Sequence, residues 1–236
     1  MFKTLTLIVK IILCKIKSVE DSKSLIKLIT SVCKKQKTFI QTFVHEISHA
    51  IFTIQEGYRI LSINFELQKT DNKIQYGECK ADFGEDTDLL NKLRSDDNLT
   101  IPEDEKERFE KTASKYLRIK LAGYSSEEIY FNREVDYNMH QTTKKSDSVE
   151  IFRMTDDGNS IRTILANINR FKLGISWRAI YYNGFDIDKI KKENFNKVLG
   201  KILIKYFLCN HLLKCKNSIN IGHLTKLVNE YNIYKN

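Results

Sequence analysis

The clearest pattern of apolar and polar positions lies between residues 38 and 55. Its apolar residues recur at spacings of three and four, which is the period of an amphipathic helix. They are Ile40, Phe43, Ile47, Ala50 and Ile54. Gly57 follows them, and a glycine just past an apolar stripe predicts the end of a helix. We therefore predict a helix over residues 38–55 with one apolar face.

The period changes after this helix to that of a strand. In residues 59–67, apolar and polar side chains alternate, which is typical of a half-buried strand. The apolar positions are Leu61, Ile63, Phe65 and Leu67. Residues 73–83 form a second strand-like stretch, with the turn-forming pair Asp-Asn at residues 71–72 between the two. The pattern predicts a β-hairpin directly after the helix.

The rest of the chain predicts more helices. Residues 84–99 are acidic and polar and predict a surface loop. Pro102 and the acidic residues after it begin a helix that runs to Gly123, a second helical piece ends near residue 132, and the tail from about residue 188 predicts one or two helices. The fold class is therefore mainly α, one compact helical domain with a small β-hairpin.

The charge distribution divides the chain and bears on its partners. The net charge is +9, and residues 1–37 hold nine Lys and two acidic residues. We interpret residues 1–37 as a basic amphipathic N-terminal segment and residues 38–236 as the main domain. Neither this segment nor the equally Lys-rich tail contains Arg, the residue suited to bidentate phosphate and base contacts. Nucleic-acid binding is not expected, and peripheral membrane contact is the alternative to a solvated Lys-rich face.

The cysteines and the N-terminus favour a cytoplasmic setting. Five Cys are widely spread without a C-x-x-C pair, which predicts neither a disulfide framework nor a cysteine zinc site. Lys10 interrupts the apolar N-terminus and no small-residue cleavage site follows, so a signal peptide is not predicted. The apolar stretches beside Lys10 are too short to span a bilayer.

One motif in the predicted helix carries chemistry, because residues 45–49 read HEISH, an HExxH sequence. Positions i and i+4 share a helix face, so His45 and His49 point the same way, as two imidazoles on one metal ion must. Glu46 stands beside the first histidine, where its carboxylate can take a proton from a zinc-bound water and pass it to a leaving amine. The motif predicts Zn²⁺ as cofactor and hydrolysis of peptide bonds as the reaction.

A zinc site of this kind needs a third ligand, and the residues leave several candidates. The extended pattern with a third histidine is excluded, because Phe52 and Gln55 stand where its glycine and histidine would be. A glutamate on a later helix, Glu127 or Glu128, would complete a thermolysin-like site. Asp147, at the start of another predicted helix, is the other candidate.

Three elements in order resemble a known family. His45 to Ala50, HEISHA, is similar to the HEAGHA motif of the FtsH-type ATP-dependent zinc metalloproteases. Residues 121–131, LAGYSSEEIYF, resemble the family's LGGRAAEEIIFG element, and residues 146–150 resemble its NDL element. The resemblance covers roughly residues 38–158. It implies a zincin-like peptidase domain and makes Asp147 the third zinc ligand. Independently of the resemblance, we interpret Glu128 as a supporting or helix-packing residue and Glu127 as a residue in solvent.

The resemblance is to the peptidase domain alone. The chain has no G-x-x-x-x-G-K-S/T phosphate loop, so ATP hydrolysis by the chain itself is not expected. We expect an ATP-independent zinc metalloendopeptidase that cuts peptides or unfolded proteins, with Glu46 as the catalytic residue. A separate ATPase or a homo-oligomer are possible partners. An extended substrate would add to the edge of strand 59–67, at Ile60 and Ile63.

Two other interpretations remain open. The first is a zinc peptidase that uses Glu128 as third ligand. The second, from another functional class, is a metal-binding interaction module of the same fold without turnover. An interaction module without turnover would give no reason for Glu46 to stand between the two histidines.

Overall fold

The computed structural model describes residues 34–67, 75–94, 101–131, 192–206 and 219–233. These stretches hold five α-helices and two β-strands. They are α1 (Lys34–Gln55), β1 (Arg59–Leu67), β2 (Gln75–Asp82), α2 (Thr87–Arg94), α3 (Lys106–Phe131), α4 (Lys192–Tyr206) and α5 (Ile221–Tyr231). Short 3₁₀ turns, Gly84–Asp86 and Glu103–Glu105, precede α2 and α3. The described part is thus mostly helical with a small antiparallel sheet, as the apolar pattern predicts.

Helix α1 is the centre of the fold and contacts α3, both strands, α4 and α5. The helix has fully buried apolar side chains on more than one of its faces. They include Phe43, Val44, Ile47, Ala50, Ile51 and Phe52. Burying a large apolar side chain contributes roughly 1.5–3 kcal/mol, so this helix anchors the core. It begins at Lys34 and so includes the last four residues of segment 1–37, whose other residues lie outside the described stretches.

Gly57 ends α1, as predicted, and the reason is its backbone conformation. Its φ is +85°, a left-handed conformation that glycine adopts without a steric penalty. The N–H of Tyr58 donates to the carbonyl of Thr53 at 3.0 Å, and the N–H of Gly57 donates to Ile54 at 3.0 Å. These bonds satisfy the last carbonyls of the helix and turn the chain back along it.

The hairpin follows as predicted but contains an irregularity. Strand β1 pairs antiparallel with β2, and Phe65 lies opposite Gly77. Between Ile60 and Ser62 the register shifts, so β1 has one residue more than β2 at this point. This β-bulge changes which side chains face the core. The predicted alternation is therefore wrong at Leu61, which is 53% exposed, while Ile60 and Ile63 are buried.

The predicted acidic loop at residues 84–99 is also wrong in part, because it contains α2. Leu89, Leu90 and Leu93 of this helix are buried in the core. Their spacing is that of one helix face, and the many acidic residues around them conceal it in the sequence.

Helix α3 runs without interruption through Gly123, where the sequence predicts a helix end. Glycine lowers helix propensity, but packing against a neighbouring element overrides such a preference. The packing partner here is α1, as described below.

Helices α4 and α5 close the core, which agrees with the predicted helical tail. Phe195 of α4 lies 6.3 Å from Phe52 between ring centroids. The side chain of Asn220 caps α5 by accepting a hydrogen bond from the N–H of His223 at 2.8 Å. In the part of the chain that is described, no helix is long and apolar enough to cross a membrane.

Candidate metal centre

The two motif histidines lie side by side on α1. The ring centroids of His45 and His49 are 4.7 Å apart, and the rings meet at 81°. His49 is 6% exposed, and the side chain of His45 is 14% exposed. Both rings are therefore mostly buried, at the interface of α1 with α3.

His49 has its ring orientation set by the backbone of α3. Its Nδ1 lies 2.7 Å from the carbonyl oxygen of Ile119, in a buried contact. A carbonyl oxygen only accepts hydrogen bonds, so the ring proton is on Nδ1. In the neutral ring, Nε2 then carries the lone pair that a metal ion requires.

His45 is oriented in the same way by a side chain of α3. Its Nδ1 lies 2.9 Å from Oε1 of Glu127, and the Glu127 side chain is 20% exposed. An ionised carboxylate only accepts, so here too the proton is on Nδ1. The expectation that Glu127 lies in solvent is therefore wrong. In the sequence nothing separates Glu127 from the adjacent Glu128, because the contact with His45 depends on how α3 packs on α1.

Gly123 makes room for the ring of His45. A Cβ atom at this position would lie 2.4, 2.5 and 2.6 Å from Cε1, Nε2 and Nδ1 of His45. Such distances are far inside van der Waals contact, so any side chain at residue 123 would displace the ring. This close approach explains why a glycine stands inside a continuous helix. An isolated glycine in a helical pattern is the sequence signal for it.

Gly77 of β2 has the same relation to Glu46. A Cβ atom there would lie 2.5 Å from Cγ of Glu46 and 2.7 Å from Cγ2 of Thr42. Strand β2 therefore lies directly on the carboxylate-bearing side chain, which is only partly buried. Sequence reasoning missed Gly77, although a glycine inside a strand pattern often marks a close backbone approach.

The remaining candidates lie elsewhere. Asp147 is outside the described residues, and Glu128 is a residue of α3 whose side chain is outside the described part. Ile60 and Ile63 are 5% and 3% exposed, so a substrate could meet them only through their backbone. Within the described ranges, no group of three or more His, Cys, Asp or Glu is arranged to hold a metal ion.

The donors that the structure does bring together suit zinc. Zinc binds neutral imidazole, and histidine ligands generally donate their second ring N–H to a carboxylate or a backbone carbonyl. Both partners are present here, the carboxylate of Glu127 and the carbonyl of Ile119. The structure thus contains two histidines suited to bind zinc and the two oxygens that orient them. The third ligand is still a prediction.

No protein-family model, curated protein or solved structure matches the chain. What can be concluded about its function therefore depends on the geometry of α1, α3 and β2.

Proposed function

We propose that the chain is a zinc metallopeptidase that hydrolyses peptide bonds in peptides or unfolded proteins. The observation that supports this best is that both imidazoles have Nδ1 directed toward α3. Nδ1 of His45 and Nδ1 of His49 each face an oxygen of α3. In the neutral rings each Nε2 then has a lone pair for a metal ion, and the two histidines lie four residues apart on one helix with Glu46 directly after the first.

In this proposal His45 and His49 hold the zinc ion, with Asp147 as third ligand and Glu128 as the alternative. When bound, zinc supplies a positive charge that polarises a water molecule and the scissile carbonyl. Glu127 and the carbonyl of Ile119 each hold one ring with its Nδ1 toward α3. Because both accept the Nδ1 proton, they also raise the basicity of the opposite ring nitrogen.

Glu46 is the proposed general base. Its carboxylate accepts a proton from the attacking water and donates it to the nitrogen of the leaving amine, so the residue ends the cycle unchanged. The close approach of Gly77 restricts where this side chain can lie, since β2 packs against its Cγ. A base held in few conformations loses less entropy on reaching its reactive position.

An extended substrate would lie along the hairpin. The sequence predicts strand 59–67 as the docking edge, through Ile60 and Ile63. The geometry favours β2 as the nearer strand, because Gly77 lies against Glu46. Main-chain hydrogen bonds to a strand edge require an extended partner, so unfolded chains are the proposed substrates, with ATP making no difference to the isolated protein.

The decisive experiment replaces Glu46 with Gln. The amide keeps the shape but cannot accept the proton, so casein cleavage should fall by about 10²–10⁴-fold while zinc content stays near that of the wild type. Elemental analysis and a fluorescent-casein assay measure the two quantities. Glu230→Gln, an exposed change on α5, is the matched control. Equal cleavage by Glu46→Gln and wild type would contradict the proposal. Zinc binding without cleavage in either protein would favour the interaction module.

A second experiment assigns the third ligand. Asp147→Ala should lower zinc content sharply, whereas Glu128→Ala should lower it little, because zinc loses a charged donor only in the first case. Equilibrium dialysis against buffered zinc, followed by elemental analysis, gives the occupancy. The reverse ranking would assign the ligand to Glu128.

A further inference from the structure

An ion pair joins Glu56, the residue that directly follows α1, to Arg118 of α3. Nε and Nη2 of Arg118 donate to Oε1 and Oε2 of Glu56 at 2.6 and 2.8 Å. The side chains are 25% and 10% exposed, so water screens this pair only in part. A bidentate pair fixes both the distance and the plane of its two groups.

The pair lies beside one of the contacts that orient the histidines. Arg118 immediately precedes Ile119, whose carbonyl accepts the Nδ1 proton of His49 at 2.7 Å. A shift of α3 by one residue would translate it by about 1.5 Å and turn it by about 100°. Either change would remove the carbonyl from His49.

The apolar contacts between the two helices do not determine this register alone. Hydrophobic attraction is not directional and tolerates small rotations of one helix on another. The ion pair is directional, and it joins α3 to the C-terminal end of α1, the same helix whose His49 bonds to Ile119. It therefore adds a directional restraint on the register, together with the close approach of Gly123 to His45 and the Glu127–His45 hydrogen bond.

We propose that Glu56 and Arg118 are a positioning pair for the metal centre. Their ion pair sets α3 on α1 so that the carbonyl of Ile119 holds the His49 proton on Nδ1. Neither residue touches the metal or the substrate. The inference rests on the proposed function for its purpose, but the tautomer of His49 can be measured without metal.

The test uses the metal-free, full-length chain. Long-range ¹H–¹⁵N NMR near pH 8.5, about two units above the ordinary imidazole pKa, distinguishes the two neutral tautomers. Wild-type His49 should be in the Nδ1–H form. Arg118→Lys keeps the charge but loses the bidentate geometry, so an Nε2–H population should appear, and zinc affinity by chelator competition should fall about 10-fold or more. Arg118→Met should give a larger effect, and Glu56→Arg combined with Arg118→Glu should restore part of it.

Arg59→Met is the matched control. It removes an exposed pair with Asp82 at 2.9 Å, and should change neither tautomer nor affinity. A folded Arg118→Lys protein with the wild-type tautomer and affinity would overturn the inference, even if its thermal stability were lower. Absence of zinc binding in the wild type would instead refute the proposed function, while a tautomer shift in the variant would still support the positioning role.

Discussion

The two sides of α1 hold their functional side chains by different means. Toward α3, the rings of His45 and His49 are fixed by hydrogen bonds to oxygens at 2.9 and 2.7 Å. Toward the hairpin, Glu46 packs against a strand at the point where Gly77 leaves room for it. The α3 side determines the ring orientations and the nitrogen that carries the proton. The hairpin side determines only the room that the Glu46 side chain has. In the proposed enzyme, the metal ligands need fixed ring directions, whereas the proton carrier needs only to be held within reach of the water and the leaving nitrogen.

The largest effect is expected on the α3 side, from Gly123→Ala. Helix propensity alone would make this change stabilising by about 0.8–1 kcal/mol. The new Cβ would instead lie within 2.6 Å of three atoms of the rigid His45 ring, so the ring or the helix must shift. We expect zinc binding and cleavage to be lost and the free energy of unfolding in urea to fall.

Gly222→Ala in α5 is the control for this change. A Cβ there would meet Asn220 Oδ1 at 3.4 Å, an ordinary contact, so stability should hold or rise. If Gly123→Ala also gained stability and kept its zinc, the close approach of α3 to His45 would be refuted.

A smaller effect is expected on the hairpin side, from Gly77→Ala. The new Cβ would lie 2.5 Å from Cγ of Glu46 and 2.7 Å from Cγ2 of Thr42, so these two side chains must move while the histidines stay in place. Cleavage should fall by about 10–100-fold because the base is misplaced, with zinc content unchanged. Parallel measurements of zinc content and casein cleavage separate this result from that of Gly123→Ala. Lys80→Ala, an exposed change in the same strand, should leave both near wild type, and equal loss of zinc in Gly77→Ala would contradict the division between the two sides.

The smallest effect is expected from Glu127→Gln. The amide oxygen can still accept the Nδ1 proton of His45, but the hydrogen bond loses the contribution of a full charge. Zinc affinity, measured by chelator competition, should fall by about 10-fold. Glu107→Gln, exposed on the same helix, should have no effect. An unchanged affinity in Glu127→Gln would mean that the carboxylate does not support the His45 ring.

The elements that sequence reasoning predicted are those that local periodicity determines. The apolar stripe of α1 and the alternation of the strands are each patterns within a single element. Gly57 ends its helix by a local backbone conformation. The failures have long-range causes. Gly123 was predicted as a helix end because its contact with His45 comes from docking of distant segments. Glu127 could not be separated from its neighbour for the same reason.

Two further predictions are wrong for other reasons. One involves the pairing of two strands, and the other involves the local composition. The bulge at Leu61 depends on pairing with β2, which apolar spacing in one strand does not reveal. Helix α2 has three buried leucines in a segment where acidic residues dominate. Of the candidate centre, the histidine pair and Glu46 could be proposed from the motif, while both supports from α3 required the fold.

Both oxygens that orient the histidines come from α3, which is far from α1 along the chain. The contacts join residues 82 and 70 positions apart. Contacts of such separation form only after a large loop has closed, so an oriented histidine pair is absent from partly folded chains that contain α1 alone. A metal ion that prefers the oriented pair would bind the native state selectively and shift the folding equilibrium toward it by mass action. In the proposed enzyme, an incompletely folded chain would therefore not cleave peptides, because its two histidines are oriented only when α3 is in place.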